Sequence, residues 1–181
     1  MTFPVSTLSG ARMKKLSAWL SVLALCTFAA GNAQAQRFGG QVSWGSDSDI
    51  GVGARAEFDL TNTLSQQGPL SNAFIITQLD VYFPDCGGAD CTWMEFNPSL
   101  AVPVPAGTLN AYLGAGLNIA RISVDLGTFG NQSNTEIGIN LLGGLKFPLG
   151  GLSAFSEARL SLGGGEQFAV SFGLLFGGSG Q

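Results

Sequence analysis

The chain has 181 residues, 45% of them hydrophobic and only 11% charged, with 27 glycines and no histidine. Soluble domains carry about 25% charged residues, so this composition excludes an ordinary water-facing surface. It also lacks the run of about 20 apolar residues that a membrane-spanning helix requires, and with no histidine the commonest general base is missing.

The chain opens with an address. Met13-Lys14-Lys15 is a basic start, Leu16 to Ala30 an apolar stretch of signal-peptide length, and Ala33-Gln34-Ala35 a small-residue cleavage site. Cleavage is expected between Ala35 and Gln36, making residues 1–35 a removable export signal. Met13 already begins a complete signal, so residues 1–12 read as an overrun of the true start. A short membrane anchor would need a longer apolar span. Cys26 follows the bulky Leu25, which disfavours lipid attachment there. Removing the signal takes away Arg12, Lys14 and Lys15. That leaves five basic against twelve acidic residues, a net charge of −7 that argues against nucleic acid as a partner.

Eight strands are expected in the remainder, residues 36–176, as one domain. The first, Phe38 to Trp44, alternates Phe38, Gly40, Val42 and Trp44 with Gly39, Gln41 and Ser43. After a turn at Gly45 to Asp49, the second is the cleanest. Ile50, Val52, Ala54, Ala56, Phe58 and Leu60 are apolar, while Gly51, Gly53, Arg55, Glu57 and Asp59 are small or charged. Strict alternation over eleven residues denotes a strand with two unlike faces. A polar connection leads to the third strand, Ala73 to Phe83, with Ile75, Thr77, Leu79, Val81 and Phe83 against Gln78, Asp80 and Tyr82; Phe74 and Ile76 blur its polar face.

The loop Pro84 to Cys91 is rich in turn formers. The fourth strand, Thr92 to Val104, sets Met94, Phe96, Leu100 and Val102 against Glu95, Asn97 and Ser99, with a bulge or strand end expected near Pro98 and Pro103. Pro105-Ala106-Gly107 turns the chain into the fifth, Thr108 to Val124, where Leu113, Ala115, Leu117 and Ile119 oppose Tyr112, Gly114, Gly116 and Asn118. A Gly/Asn/Ser loop, Leu126 to Asn134, precedes the sixth, Thr135 to Phe147. The seventh, Leu152 to Leu162, carries Glu157 and Arg159. The eighth, Gln167 to Phe176, reads Phe168, Val170, Phe172, Leu174 and Phe176 against Ala169, Ser171 and Gly173, and a flexible tail, residues 177–181, follows.

Strands of about 10 residues suit a tilted membrane wall, and eight closed together leave no unpaired edge in lipid. A soluble barrel would turn its apolar face inward. Here the polar face is mostly Gly, Ser, Asn and Ala, too sparsely charged to solvate a protein but suited to a narrow lumen filled by side chains. Its charges, Arg55, Lys146 and Arg159 against Glu57, Asp59, Asp80, Glu95 and Glu157, are then expected to pair, because a confined charge needs a partner. Aromatics near strand ends, Trp44, Phe83, Phe96 and Phe168 at one rim and Phe38, Phe58, Phe147 and Phe176 at the other, match the girdles of membrane barrels. The expected fold class is therefore an all-β, transmembrane, antiparallel up-and-down barrel of eight strands after a signal peptide.

From Phe38 to Phe176, through motifs such as YLGAGLNIAR, GINLLGGLKF and LSAFSEARLSL, the chain resembles the opacity-protein/OmpA-type family of eight-stranded outer-membrane barrels. The resemblance implies an outer-membrane location, both chain ends in the periplasm, and an assembly signal at Phe176 read by the barrel-assembly machinery. It also places Asp47, Asp49, Asp85, Asp90, Asp125 and Glu166 in surface loops. Those carboxylates read either as ordinary solvated charge or as an acidic rim holding divalent cations against lipopolysaccharide phosphates, since hard cations prefer oxygen ligands.

Cys86 and Cys91, in DCGGADC, read first as a loop disulfide in an exported protein; two cysteines alone are too few for a metal site. The glycine-rich segments are not phosphate loops, lacking the helix and lysine. No catalytic set is marked and no cofactor is implied. The functional expectation is a non-enzymatic outer-membrane barrel for envelope integrity or surface interaction, in contact with lipid, lipopolysaccharide and an unidentified surface partner. The alternative is a narrow pore or a conduit for small hydrophobic molecules.

Overall fold

The structure, a computed structural model, describes residues 36–60, 68, 70–87, 89–107, 109–127 and 130–177. The expected export signal, residues 1–35, and residues 178–181 of the expected tail lie outside the described residues. Eight strands follow one another: β1 (Gln36–Gly45), β2 (Asp49–Asp59), β3 (Phe74–Tyr82), β4 (Asp90–Ala106), β5 (Leu109–Asp125), β6 (Asn131–Leu149), β7 (Leu152–Leu162) and β8 (Gln167–Phe176). Each pairs antiparallel with the next, and β8 closes on β1 through the register Phe38 to Phe176. No helix among the described residues is long and apolar enough to cross a membrane; in this chain the strands do the crossing. Closure removes the sheet edges that lipid could not satisfy.

The barrel is inside out. Among the described residues, 17 polar or charged side chains are buried against 11 hydrophobic ones, while Val52, Ile139 and Phe172 stand more than half exposed. Along β2 the even residues face out and Gly51, Arg55 and Glu57 are buried within, so the period-two alternation maps directly onto wall and lumen. A wall of this kind is stable only where its surroundings are apolar.

Three features depart from the sequence expectation. β6 begins at Asn131, four residues before the alternation does, and runs for 19 residues. The pairing of β5 with β6 reaches Asp125 to Asn131, whereas that of β6 with β7 begins only at Ile139 to Leu162. The upper parts of β4, β5 and β6 therefore rise as a tongue beyond the neighbouring wall. Pro98 and Pro103 produce neither a bulge nor a strand end. The β4–β5 ladder skips Asn97 and Pro98 but resumes in the same register, Phe96 with Ile119 and Ser99 with Gly116. One missing N–H is tolerated because the flanking pairs hold the strand. Pro148 and Leu149 belong to β6, leaving Gly150-Gly151 as the turn, with Gly150 at φ 65°. That left-handed conformation suits a residue without a Cβ.

Two rims result. The near rim carries the start of β1 and the end of β8; the far rim carries the turns at 46–48, 83–89, 126–130 and 163–166.

Candidate functional site: the lumen network and the far rim

Alternation aims one residue in two into the lumen, and closure brings strands far apart in sequence face to face. Toward the near rim, Arg55 on β2 lies beside Glu57 at 2.7 Å and reaches across to Glu157 on β7, also at 2.7 Å. The Tyr112 hydroxyl on β5 donates to the same Glu157 carboxylate at 2.8 Å. Lys146 on β6 meets the second oxygen of Glu57 at 2.6 Å, and Arg37 approaches it at 3.9 Å. Phe155 lies 4.2 Å beneath the Arg55 guanidinium, and Phe74 lies 3.9 Å from the Lys146 ammonium. Aromatic faces attract cations whose water has been removed.

Toward the far rim, Arg159 on β7 donates to Glu95 at 2.8 Å, to the Tyr82 hydroxyl at 3.1 Å, and to Asp80 at 3.4 Å. Trp93, Asn97 and Gln167 donate to Glu95 as well, while Gln41 and Ser43 donate to Asp80. Gln78 joins the two clusters, giving an N–H to Glu157 at 2.7 Å and accepting from Arg159 at 2.9 Å. A tier of amides, Asn97, Asn118 and Asn140, packs beside them. Arg55, Lys146 and Arg159 in the lumen, with Arg37 at its near mouth, are paired with Glu57, Asp80, Glu95 and Glu157.

This density depends on glycines. At Gly53 a Cβ would collide with the Asp80 carboxylate, and at Gly144 with the Tyr112 hydroxyl. The inward glycines are gaps cut for the network's longer side chains.

Seven of the eight charges expected in the lumen lie there. Asp59 does not: it is the last residue of β2 and is exposed at the near rim. Alternation gives a side chain's direction but not its height, and at the end of a strand the inward direction opens to water. The sequence reading missed Tyr112, Gln78, Gln167 and Trp93 as members; their inward parity was the available signal.

At the far rim, Cys86 and Cys91 are joined by a disulfide with Cα atoms 6.1 Å apart. The acidic-rim residues do not converge. No group of three or more His, Cys, Asp or Glu among the described residues is placed to hold a metal. Asp85 accepts from the Gly87 N–H, Asp125 from Gly127 and Glu166 from Gly163 within their own turns, Asp47 accepts from the Ser46 hydroxyl, and Asp49 accepts from the Asp85 N–H of a neighbouring turn. Asp90 and Asp125 are cross-strand partners at the tip of the tongue. These bonds engage the rim carboxylates within and between turns. Phe176 ends β8 with its ring exposed on the outer wall, opposite Phe38 and Leu152.

A closed eight-stranded meander with an apolar exterior and a polar, hydrogen-bonded interior defines the transmembrane β-barrel class. Among solved structures, the chain is similar to Neisserial surface protein A, with 18% identity over 78% of this chain and 94% of that one, at a TM-score of 0.52. It is also similar to Ail, the attachment invasion locus protein of Yersinia pestis, with 10% identity over 77% and 93% and a TM-score of 0.52. A second Ail structure, in complex with the heparin analogue sucrose octasulfate, matches at 12% identity over 77% and 93%, with a TM-score of 0.50. These likenesses establish a shared eight-stranded outer-membrane barrel fold. No family model matches the chain, and no curated protein does.

Proposed function

We propose that the chain is a non-enzymatic integral barrel of the bacterial outer membrane, exported with loss of residues 1–35, that serves envelope integrity or surface interaction through its far rim. The observation that carries this reading is the filled lumen. Buried side chains from β1 to β8 interlock across it, and Arg55 and Arg159 are each 2% exposed. A charge held by two or three partners is costly to displace, so the network works as a rivet rather than a channel lining. This weighs against the alternative of a pore or small-hydrophobe conduit. In this orientation the near rim faces the periplasm, Phe176 presents the assembly signal, and the far rim faces outward.

A fold of this kind hosts unrelated functions, so the rim's own chemistry must decide the partner. Ail is seen with a sulfated ligand. Here the far rim and tongue carry Asp47, Asp49, Asp85, Asp90, Asp125, Glu136 and Glu166, with Arg121 as the one basic residue among the described residues there. Such a mouth repels a sulfated polymer and favours a neutral or basic partner.

Fractionation tests the location: the mature chain, beginning at Gln36, is expected in the outer membrane, with migration on gels that shifts on heating. Planar bilayers test the lumen, with conductance near baseline expected. Discrete, reproducible openings would support the conduit, and recovery as a water-soluble protein would overturn the barrel reading. A deletion strain is expected to show increased sensitivity to detergents or loss of surface binding; a wild-type response in both assays would remove the proposed role.

A further inference from the structure

Five basic residues lie in the described part of the chain. Arg37, Arg55, Lys146 and Arg159 point into the lumen or its near mouth and pair with carboxylates. Arg121 differs from all of them. It lies on the outer face of β5, directly above Leu117 and Ile119, is exposed, and has no ion pair among the described residues.

Its neighbours share a chemistry. The outward residues of the tongue form rows across β4, β5 and β6, fixed by the register. Phe96, Ile119 and Ile137 make the last apolar row. Met94, Arg121 and Thr135 come next, then Thr92, Ser123 and Ser133. The outer wall therefore changes within one step, about 7 Å of strand, from an all-apolar row to one that sets Arg121 between Met94 and Thr135, and in the next step to a row of hydroxyls. The Arg121 guanidinium donates to the Ser133 hydroxyl at 3.0 Å, which ties it to β6 and leaves most of its N–H groups available. The rim carboxylates Asp90 and Asp125 stand two rows higher.

We propose that Arg121, with Ser133 and the hydroxyls of Thr92, Ser123 and Thr135, binds the phosphate of an anionic glycolipid headgroup in the outer leaflet. This rests on the outer-membrane reading above. The guanidinium fork matches phosphate oxygens two at a time, and serine and threonine hydroxyls donate to the remaining ones. Position selects a lipid over a soluble anion: the cation sits on the wall's lipid side at the upper edge of the apolar belt, where a seated lipid would lay its acyl chains along Ile119, Ile137 and Leu117. A free phosphate would gain none of that contact and would meet the acidic mouth on its approach.

The test uses the full mature chain in detergent, native mass spectrometry, and purified bisphosphorylated lipid A with its dephosphorylated form as probes. Heat-modifiable migration reports folding. Wild type is expected to retain one lipid A. Arg121→Ala is expected to retain about tenfold less, the worth of one charge-assisted hydrogen bond. Arg121→Lys is expected to fall between them, and dephosphorylated lipid to bind wild type as weakly as lipid A binds the alanine variant. Should Arg121→Ala fail to fold, Arg121→Gln, of similar length, carries the same expectation. Equal retention by folded variants, or by dephosphorylated lipid, would overturn the site. Binding of inorganic phosphate alone, with displacement of lipid A, would identify a free-anion site and overturn the lipid assignment. None of these outcomes touches the barrel reading, which fails only if the variants and wild type alike are water-soluble.

Discussion

The outer wall and the lumen are built from the same eight strands, read at alternate residues, and they obey opposite rules. On the wall, Val42, Val52, Leu113, Leu141 and Phe172 are exposed and interchangeable in kind; any apolar side chain of suitable size would serve. In the lumen, Glu95 accepts from Trp93, Asn97, Arg159 and Gln167, and no other residue would satisfy all four. The wall is specified by composition and the lumen by partnership. Substitutions should therefore act through solvation outside and through pairing inside.

The largest expected effect lies in the lumen. Arg159→Leu would leave Glu95 and Asp80 buried without their cation, and removing one member of a buried pair costs about 3–5 kcal/mol. Urea unfolding from vesicles should show that loss, whereas Arg159→Lys, which keeps the charge, should lose less. If Arg159→Leu were neutral, the network would be decoration on a barrel held by its wall. Next comes the wall. Ala54 faces outward near the middle of β2, and Ala54→Arg should cost about 2–4 kcal/mol, the penalty of a cation at the bilayer midplane. The same measurement checks it, and a cost near zero would mean that the wall meets water.

A third substitution probes the gaps. Gly144→Val would drive its side chain into the Tyr112 hydroxyl; overpacking of this kind costs about 1–3 kcal/mol. Combined with Tyr112→Ala, which removes both the hydroxyl and the ring carbon that the new side chain would meet, it should be partly relieved, and a double-mutant cycle in the same unfolding assay reads the coupling. The smallest effect is expected at the far rim. Cys86 and Cys91 close a short loop, worth up to about 2 kcal/mol by loop-closure entropy. Because the loop stands outside the wall, Cys86→Ser with Cys91→Ser should increase proteolysis of residues 83–89 while leaving heat-modifiable migration intact.

The same contrast explains what the sequence could and could not reveal. Strand number and facing follow from alternation alone, because lipid demands an apolar residue at every second position of β2, β5 and β8. The start of β6 did not show. Beyond the apolar belt nothing constrains the outer face, so Asn131-Gln132-Ser133-Asn134 reads as loop while remaining paired with Ile122 to Asp125. Alternation also placed Arg55 and Glu157 inward without joining them, since their contact spans 102 residues and depends on barrel closure. Asp59 failed for the complementary reason, having the right direction at the wrong height. The rim carboxylates lie in loops far apart in the sequence, and only barrel closure shows that Asp49 reaches the Asp85 backbone and that Asp90 faces Asp125, while Asp125 and Glu166 bond within their own turns.

The direction of the two faces supports everything else, and accessibility along β2 measures it most directly. Single cysteines at Val52, Ala54, Arg55 and Glu57, in a background lacking Cys86 and Cys91, would be spin-labelled where they react and placed in lipid vesicles. Val52 and Ala54 should be reached by oxygen dissolved in the bilayer and not by a water-soluble relaxation agent, while Arg55 and Glu57 should be poorly labelled or immobile. Free labelling of positions 55 and 57 from water on the outer surface, with 52 and 54 shielded from lipid, would contradict the account and show a soluble barrel with its apolar face inside.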